Sequence, residues 1–136
     1  MQIRTRMCIS IDGCVTTSDG VPVQLADPGF SPEAHGFVGF TAGTPDQVVV
    51  DGDPASLLER IRAANRGGDV HLVGGPRTIE TFRALGALDK LGLIVLPLLA
   101  GDGMRLTPSV SQDAGLKLEA ERALPEGAVE IVYACV

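Results

Sequence analysis

Tryptophan is missing from this sequence, and aromatic residues together make up only 4% of it. A core without large rings has to be aliphatic, assembled from Val, Leu, Ile and Ala. Positive charge is also scarce. Eleven Lys and Arg stand against 17 Asp and Glu, a formal net charge of -6, and no Lys/Arg cluster occurs. A nucleic-acid binder needs a basic face to displace counterions from phosphates, so nucleic acid is set aside as a partner. A phosphorylated small molecule stays possible, because a few backbone N–H groups can hold one locally on an acidic protein. Cysteine is limited to Cys8, Cys14 and Cys135, an odd number with no CxxC spacing. Reduced, mostly buried thiols in a cytoplasmic protein are the expectation. His35 and His71 lie near no cysteine in sequence, so no metal site is expected. No apolar run approaches the roughly 18–20 residues of a membrane helix, and Met1-Gln2-Ile3-Arg4 does not open like a signal peptide. Neither histidine sits beside a Ser or Cys in a nucleophile motif, which argues against a hydrolase.

What is present suits one folded domain spanning 1–136. At 136 residues a second core would be too small to persist. Apolar residues at 45% against charged residues at 21% give the balance of a globular chain rather than a disordered one. Residues 2–11 alternate, with Ile3, Thr5, Met7, Ile9 and Ile11 on one face and Arg4, Arg6, Cys8 and Ser10 on the other. That period of two predicts a strand with one well-buried side. Asp12-Gly13 breaks it, Cys14–Thr17 continues extended, and Ser18-Asp19-Gly20 turns. Ser31 and Pro32 suit the start of a short helix carrying His35 to Phe40, and Thr41–Asp46 reads as loop.

From residue 48 onward the signals sharpen. Val48-Val49-Val50 predicts a short strand. Asp53 and Pro54 start a helix with Leu57, Leu58, Ile61 and Ala64 as its apolar stripe, stopped by Gly67-Gly68. Asp69–Val73 is β-rich and runs straight into Gly74-Gly75. Pro76 then opens a helix bearing Ile79, Phe82 and Leu85. Residues 90–99 are almost continuously apolar, as in a strand covered on both faces, and Pro97 demands either a bulge or the strand's end. Two late strands, 116–120 and 129–134, are joined through Pro125-Glu126-Gly127. Strand–helix alternation closed by a hairpin predicts an α/β fold, a three-layer α/β/α arrangement around a mixed, mostly parallel sheet with an antiparallel C-terminal hairpin.

Three segments could carry chemistry. At Leu72–Thr78 a buried strand passes through two glycines into a helix start. Residues without Cβ let a ligand approach the backbone, and the helix offers unpaired N–H groups and a partial positive charge suited to phosphate. Because Pro76 has no N–H, the donors expected there are Gly75, Arg77 and Thr78, with Gly74 giving close approach. Ser10-Ile11-Asp12-Gly13 sits where the first strand ends, and ligands of open parallel sheets gather beyond such ends. Asp12 could accept a substrate hydrogen bond or pass a proton. The loop Leu99–Leu106 holds Gly101 and Gly103 around Asp102, either on the pocket rim or in a plain reversal, with Arg105 a weaker candidate for an anion. His71, in mid-strand, reads as satisfied or solvent-facing.

Taken together, SIDG after the first strand, HLVGGPRTIETFRALGALDKLGLIVLPLLAGDGMRL in the second half, and a closing hairpin resemble the RibD C-terminal reductases of the dihydrofolate reductase-like superfamily. The match is nearly uninterrupted over residues 69–106. The resemblance implies an NADPH-dependent reductase, usually a homodimer, that passes hydride to a small substrate, with heterocycles among the expected acceptors. It places the pyrophosphate at Gly74, Gly75, Arg77 and Thr78, and the substrate near Ser10, Asp12, Gly101 and Gly103. Two departures stand out. Riboflavin-pathway members carry Glu before the Gly-Gly, where this chain has Val73, which speaks against their pyrimidine substrate. The chain also lacks a strand–helix–strand passage with its Gly-Arg-x-Thr phosphate turn, replaced by 41–47. That loss leaves a second expectation open, a non-catalytic member that keeps the fold and dimer interface.

Overall fold

The computed structural model describes residues 1–44, 46–49, 53–107 and 115–135. Its first strand, β1 (Ile3–Ser10), lies in the middle of a six-stranded sheet, paired in parallel with β3 (Val70–Val73) and β4 (Lys90–Leu96). The strand order is β2-β3-β1-β4-β6-β5. β2 (Asp46–Val49) extends the parallel part beyond β3, and the antiparallel β6 (Val129–Cys135) and β5 (Leu116–Ala123) finish the other end. The single turn Pro125–Gly127 joins these last two strands, with Glu126 and Gly127 both at positive φ.

The expected one-sided burial of β1 is corrected by this central position. Arg6, Cys8 and Ser10, on the face read as polar, are buried along with Ile3, Thr5 and Ile9. Layering follows from chain direction. The steps from β2 through α3 (Pro54–Ala64) to β3, and from β3 through α4 (Pro76–Ala84) to β4, run the same way along the sheet. Right-handed crossovers therefore put both helices on one face. Leu58 of α3 and Ile79 and Phe82 of α4 pack there on Ile3, Val70, Leu72 and Leu93. The return from β1 to β2 runs the other way and covers the opposite face. There α1 (Val23–Ala26) and α2 (Phe37–Gly43) bring Val23 and Phe37 against Cys8, Ile94 and Leu96. The result is the three-layer α/β/α fold.

Local chemistry sets most boundaries. Asp53 caps α3, its carboxylate accepting from the Ser56 amide at 3.2 Å. Asp89 accepts from the Ile3 amide at 2.7 Å, pinning the entrance of β4 to that of β1. The helix expected from Ser31 is corrected. Ser31 accepts from Ala34 N at 3.3 Å, but only a turn forms, because Gly36 adopts φ 79 and becomes the N-cap of α2. Residues 41–43, expected in a loop, complete that helix, and β2 starts at Asp46 instead of Val48. Val50 of the expected strand lies outside the described residues.

Candidate functional site

The corner between β3 and α4 is built by two glycines with different tasks. A Cβ on Gly74 would come within 2.7–2.8 Å of the Thr78 side chain, so Gly74 lets the first helical turn fold back against the strand. A Cβ on Gly75 would meet nothing within 4 Å. The space beside Gly75 is open, and Gly75 is itself the N-cap of α4, with no side chain capping that helix. Among the described residues no acceptor engages the amides of Gly75, Arg77 or Thr78, as expected for a first turn whose donors have no intrahelical partner.

That corner opens on a crevice of about 280 Å³ that lies past the carboxyl end of β3 and over the middle of β1. Gly74, Gly75 and Pro76 form one wall, and Arg6 and Cys8 of β1 the floor. Val15, Thr16, Gln24, Phe37 and Met104 close the remaining sides. The lining is mainly apolar, with a guanidinium, a hydroxyl and an amide as polar contacts. Cys8 is no acid for this space, because burial pushes its thiol up to about 12. Arg77 is exposed at the helix start and the Thr78 side chain rests on Gly74, so neither side chain lines the crevice.

The structure places the other expected site residues differently. Ser10 is fully buried; its hydroxyl donates to Asp12 and accepts from the Cys14 amide at 2.9 Å. The Asp12 carboxylate also accepts from Ala100 N at 3.0 Å and Gly101 N at 2.8 Å. These donors, the Ser10 hydroxyl first, bring its pKa down to about 2. A carboxylate that accepts from three donors of its own chain braces the loop at the exit of β1. Gly103 has no room for a side chain, since a Cβ would run into the Thr16 carbonyl. Gly101, at φ 71, lets the loop turn onto Asp12. Hydrogen bonds Val15 N to Met104 O at 2.7 Å and Met104 N to Thr16 Oγ1 at 2.8 Å then hold the loop along the crevice. Ser10, Asp12, Gly101 and Gly103 thus build the wall that Met104 presents. Arg105 is exposed and bridges Cys14 through the backbone.

Sequence reasoning missed Arg6. Its side chain runs across β4, where Gly92 leaves space, to Glu130 at 2.5 Å, and donates to the His35 carbonyl at 2.5 Å. Arg122 reaches the same carboxylate at 2.7 Å. Burial alone would raise the Glu130 pKa, but hydrogen bonds from Arg122 and Arg6 outweigh it and hold the group below its usual value. The available signal was Glu130, the one charge in β6, which needs a partner once that strand is buried. Among the described residues no group of three or more His, Cys, Asp or Glu could hold a metal, and no helix is long and apolar enough to cross a membrane.

Comparison with known proteins agrees with this architecture. Residues 42–129 match the RibD C-terminal domain. The Bacillus subtilis protein YyaP, described as uncharacterized, is 39% identical over 80 residues, 57% of this chain and 43% of YyaP, so the match spans less than half of that relative. A protein from Shewanella sp. PV-4, assigned provisionally to riboflavin biosynthesis, superposes with a TM-score of 0.83 at 14% identity, covering 100% of this chain and 99% of its own. Acinetobacter baumannii RibD gives 0.78 at 11% identity, over 99% of this chain and 58% of that one. A pyrimidine reductase-like protein from Corynebacterium diphtheriae gives 0.67 at 14% identity, over 99% and 92%. At these identities the superpositions speak for the fold.

Proposed function

Since the chain belongs to the RibD C-terminal domain family, we propose that it is an NADPH-dependent reductase of a small, flat substrate. The observation that carries this reading is the open space at Gly75 beside an uncapped helix start. These residues fit a dinucleotide phosphate. The Gly75, Arg77 and Thr78 amides belong to the uncapped first turn of α4, which would take the negative oxygens of a pyrophosphate without a cationic cluster. The crevice of about 280 Å³ beside these amides is where the reactive ring of the cofactor and the substrate would meet. When bound, the cofactor supplies the hydride.

The chain's own residues supply placement and exclusion of water. Met104, Phe37 and Val15 give an apolar slot for a ring, and Gln24 and Thr16 offer the polar contacts that orient it. Among the described residues no carboxylic acid lines the crevice. The proton that completes a reduction therefore enters from solvent rather than from Asp12. This reading is tested by NADPH oxidation measured against a panel of nitrogen heterocycles and conjugated carbonyl compounds. Consumption that depends on the added compound, and is lost in Gly75→Leu, is the expected result. A rate no different from the compound-free control across the panel contradicts it.

A second reading is favoured by the single phosphate corner. Residues 41–47 replace the passage that would bring another phosphate-binding turn, which fits a non-catalytic member retaining fold and homodimer. The same panel separates the two. Self-association is supported by the outer hairpin. All eight residues of β5 are exposed, and Leu118, Val129, Ile131 and Tyr133 form an uncovered apolar face around a shallow hollow of about 420 Å³. An edge strand with such a face invites pairing with a second copy.

A further inference from the structure

A second hollow lies under α2, on the far side of Arg6 from the crevice, with a volume of about 310 Å³. Arg4, Arg6, Arg122 and Glu130 wall it. Gly36, Gly39 and Gly43 form its roof along one edge of α2, and side chains on Gly39 or Gly43 would meet nothing within 4 Å. Gly39 and Gly43, two glycines within so short a helix, cost helix propensity, and here they leave a space open.

The polar groups around that space are incompletely satisfied. Arg4 Nε, Arg6 Nε and His71 Nδ1 are buried without a partner. Arg4 and His71 are register neighbours on β1 and β3, and Arg6 lies two residues along β1 on the same face. Buried donors are nearly always paired in folded proteins, so the two arginine Nε groups, on residues that wall this hollow, point to a missing partner. Charge points the same way. Three guanidinium groups face one carboxylate, Glu130, already engaged by Arg6 and Arg122, while Arg4 reaches Asp69 at 3.3 Å. The hollow is thus cationic in a chain of net charge -6. Phe40 and Phe37 hold the Arg4 and Arg6 guanidinium groups 5.1 Å from their ring centres, which fixes these groups beside the opening.

We propose that this hollow is a binding site for a small oxyanion of the phosphate class, gripped by Arg4 and Arg122 at the mouth and Arg6 at the base. Planar guanidinium forks match the oxygens of such an anion, which a chloride ion cannot satisfy in the same way. The site is independent of the α4 corner and of the reductase reading.

Thermal melting of the full chain is followed against inorganic phosphate at constant ionic strength set with chloride. The expected result is a saturating rise in melting temperature with half-saturation at or below about 1 mM, in the affinity range of a single small anion. Arg4→Met and Gly39→Leu each weaken the response at least tenfold, whereas Gly75→Leu leaves it unchanged. Gly39→Leu adds a better helix former in open space, so its melting temperature without phosphate stays equal or higher, and it decides the matter should Arg4→Met fold poorly. Glycerol phosphate, run in parallel, distinguishes the sources: tighter binding than free phosphate assigns the hollow to a phosphate monoester, and equal or weaker binding to the free anion. The proposal is overturned by no saturable response, by a response that chloride reproduces, or by one that Gly75→Leu removes and Gly39→Leu keeps.

Discussion

Asp12 shows how a polar residue at the end of a strand can serve the site without touching a ligand. Its carboxylate ties the 98–103 loop to the exit of β1, and its pKa lies at about 2, below the ordinary 3.8. A group depressed on folding contributes stability above its unfolded pKa and loses it as the pH falls through the folded value. Asp12→Asn is therefore expected to melt below the parent protein at neutral pH. The gap should narrow between about pH 4 and pH 2, which melting curves across that window check. The Gly74-Gly75 corner was legible from sequence because its signal is local, two glycines between a β-rich run and a proline-led helix start. Arg6 was not legible, since the residues that give it meaning, Gly92 and Glu130, lie 86 and 124 positions away.

At the scale of elements, α4 matters because it carries the open corner on one end and a buried stripe along its length. Pro76, Ile79 and Phe82 are buried, Phe82 completely. Phe82→Ala removes the ring that seats the helix on β1 and β4, and a cost of about 3–5 kcal/mol is expected for such a cavity. Denaturant titration checks it, as a lower midpoint with unchanged slope. Helices α3 and α4 could be read from caps, periodicity and terminal glycines. The stretch 21–44 could not, because its weak local preferences are decided by what it covers. Pro22 and Val23 start a one-turn helix that buries Val23 under the sheet, and Gly36 interrupts the turn begun at Ser31. Phe37 and Gln24 reach the crevice only through that packing, so no local pattern marked them.

The whole molecule combines a completed parallel half with an unfinished antiparallel edge. β2 pairs directly with β3 and forms the parallel end of the sheet. The outer hairpin leaves Leu116 and Leu118 at 40% and 48% exposure. In antiparallel self-pairing about Leu118, Lys117 would face Glu119, a complementary register. Sedimentation is expected to show a dimer for the parent chain and a monomer for Leu118→Glu. An unchanged monomer in both would leave the apolar hairpin without this explanation.

The central claim is that α4 offers its first amides to a dinucleotide phosphate through the gap at Gly75. Calorimetric titration with NADPH, run on the parent chain and on Gly75→Leu, tests it most directly. A micromolar dissociation constant that weakens at least tenfold in Gly75→Leu is expected. No heat up to millimolar NADPH, or binding indifferent to the leucine, would contradict it.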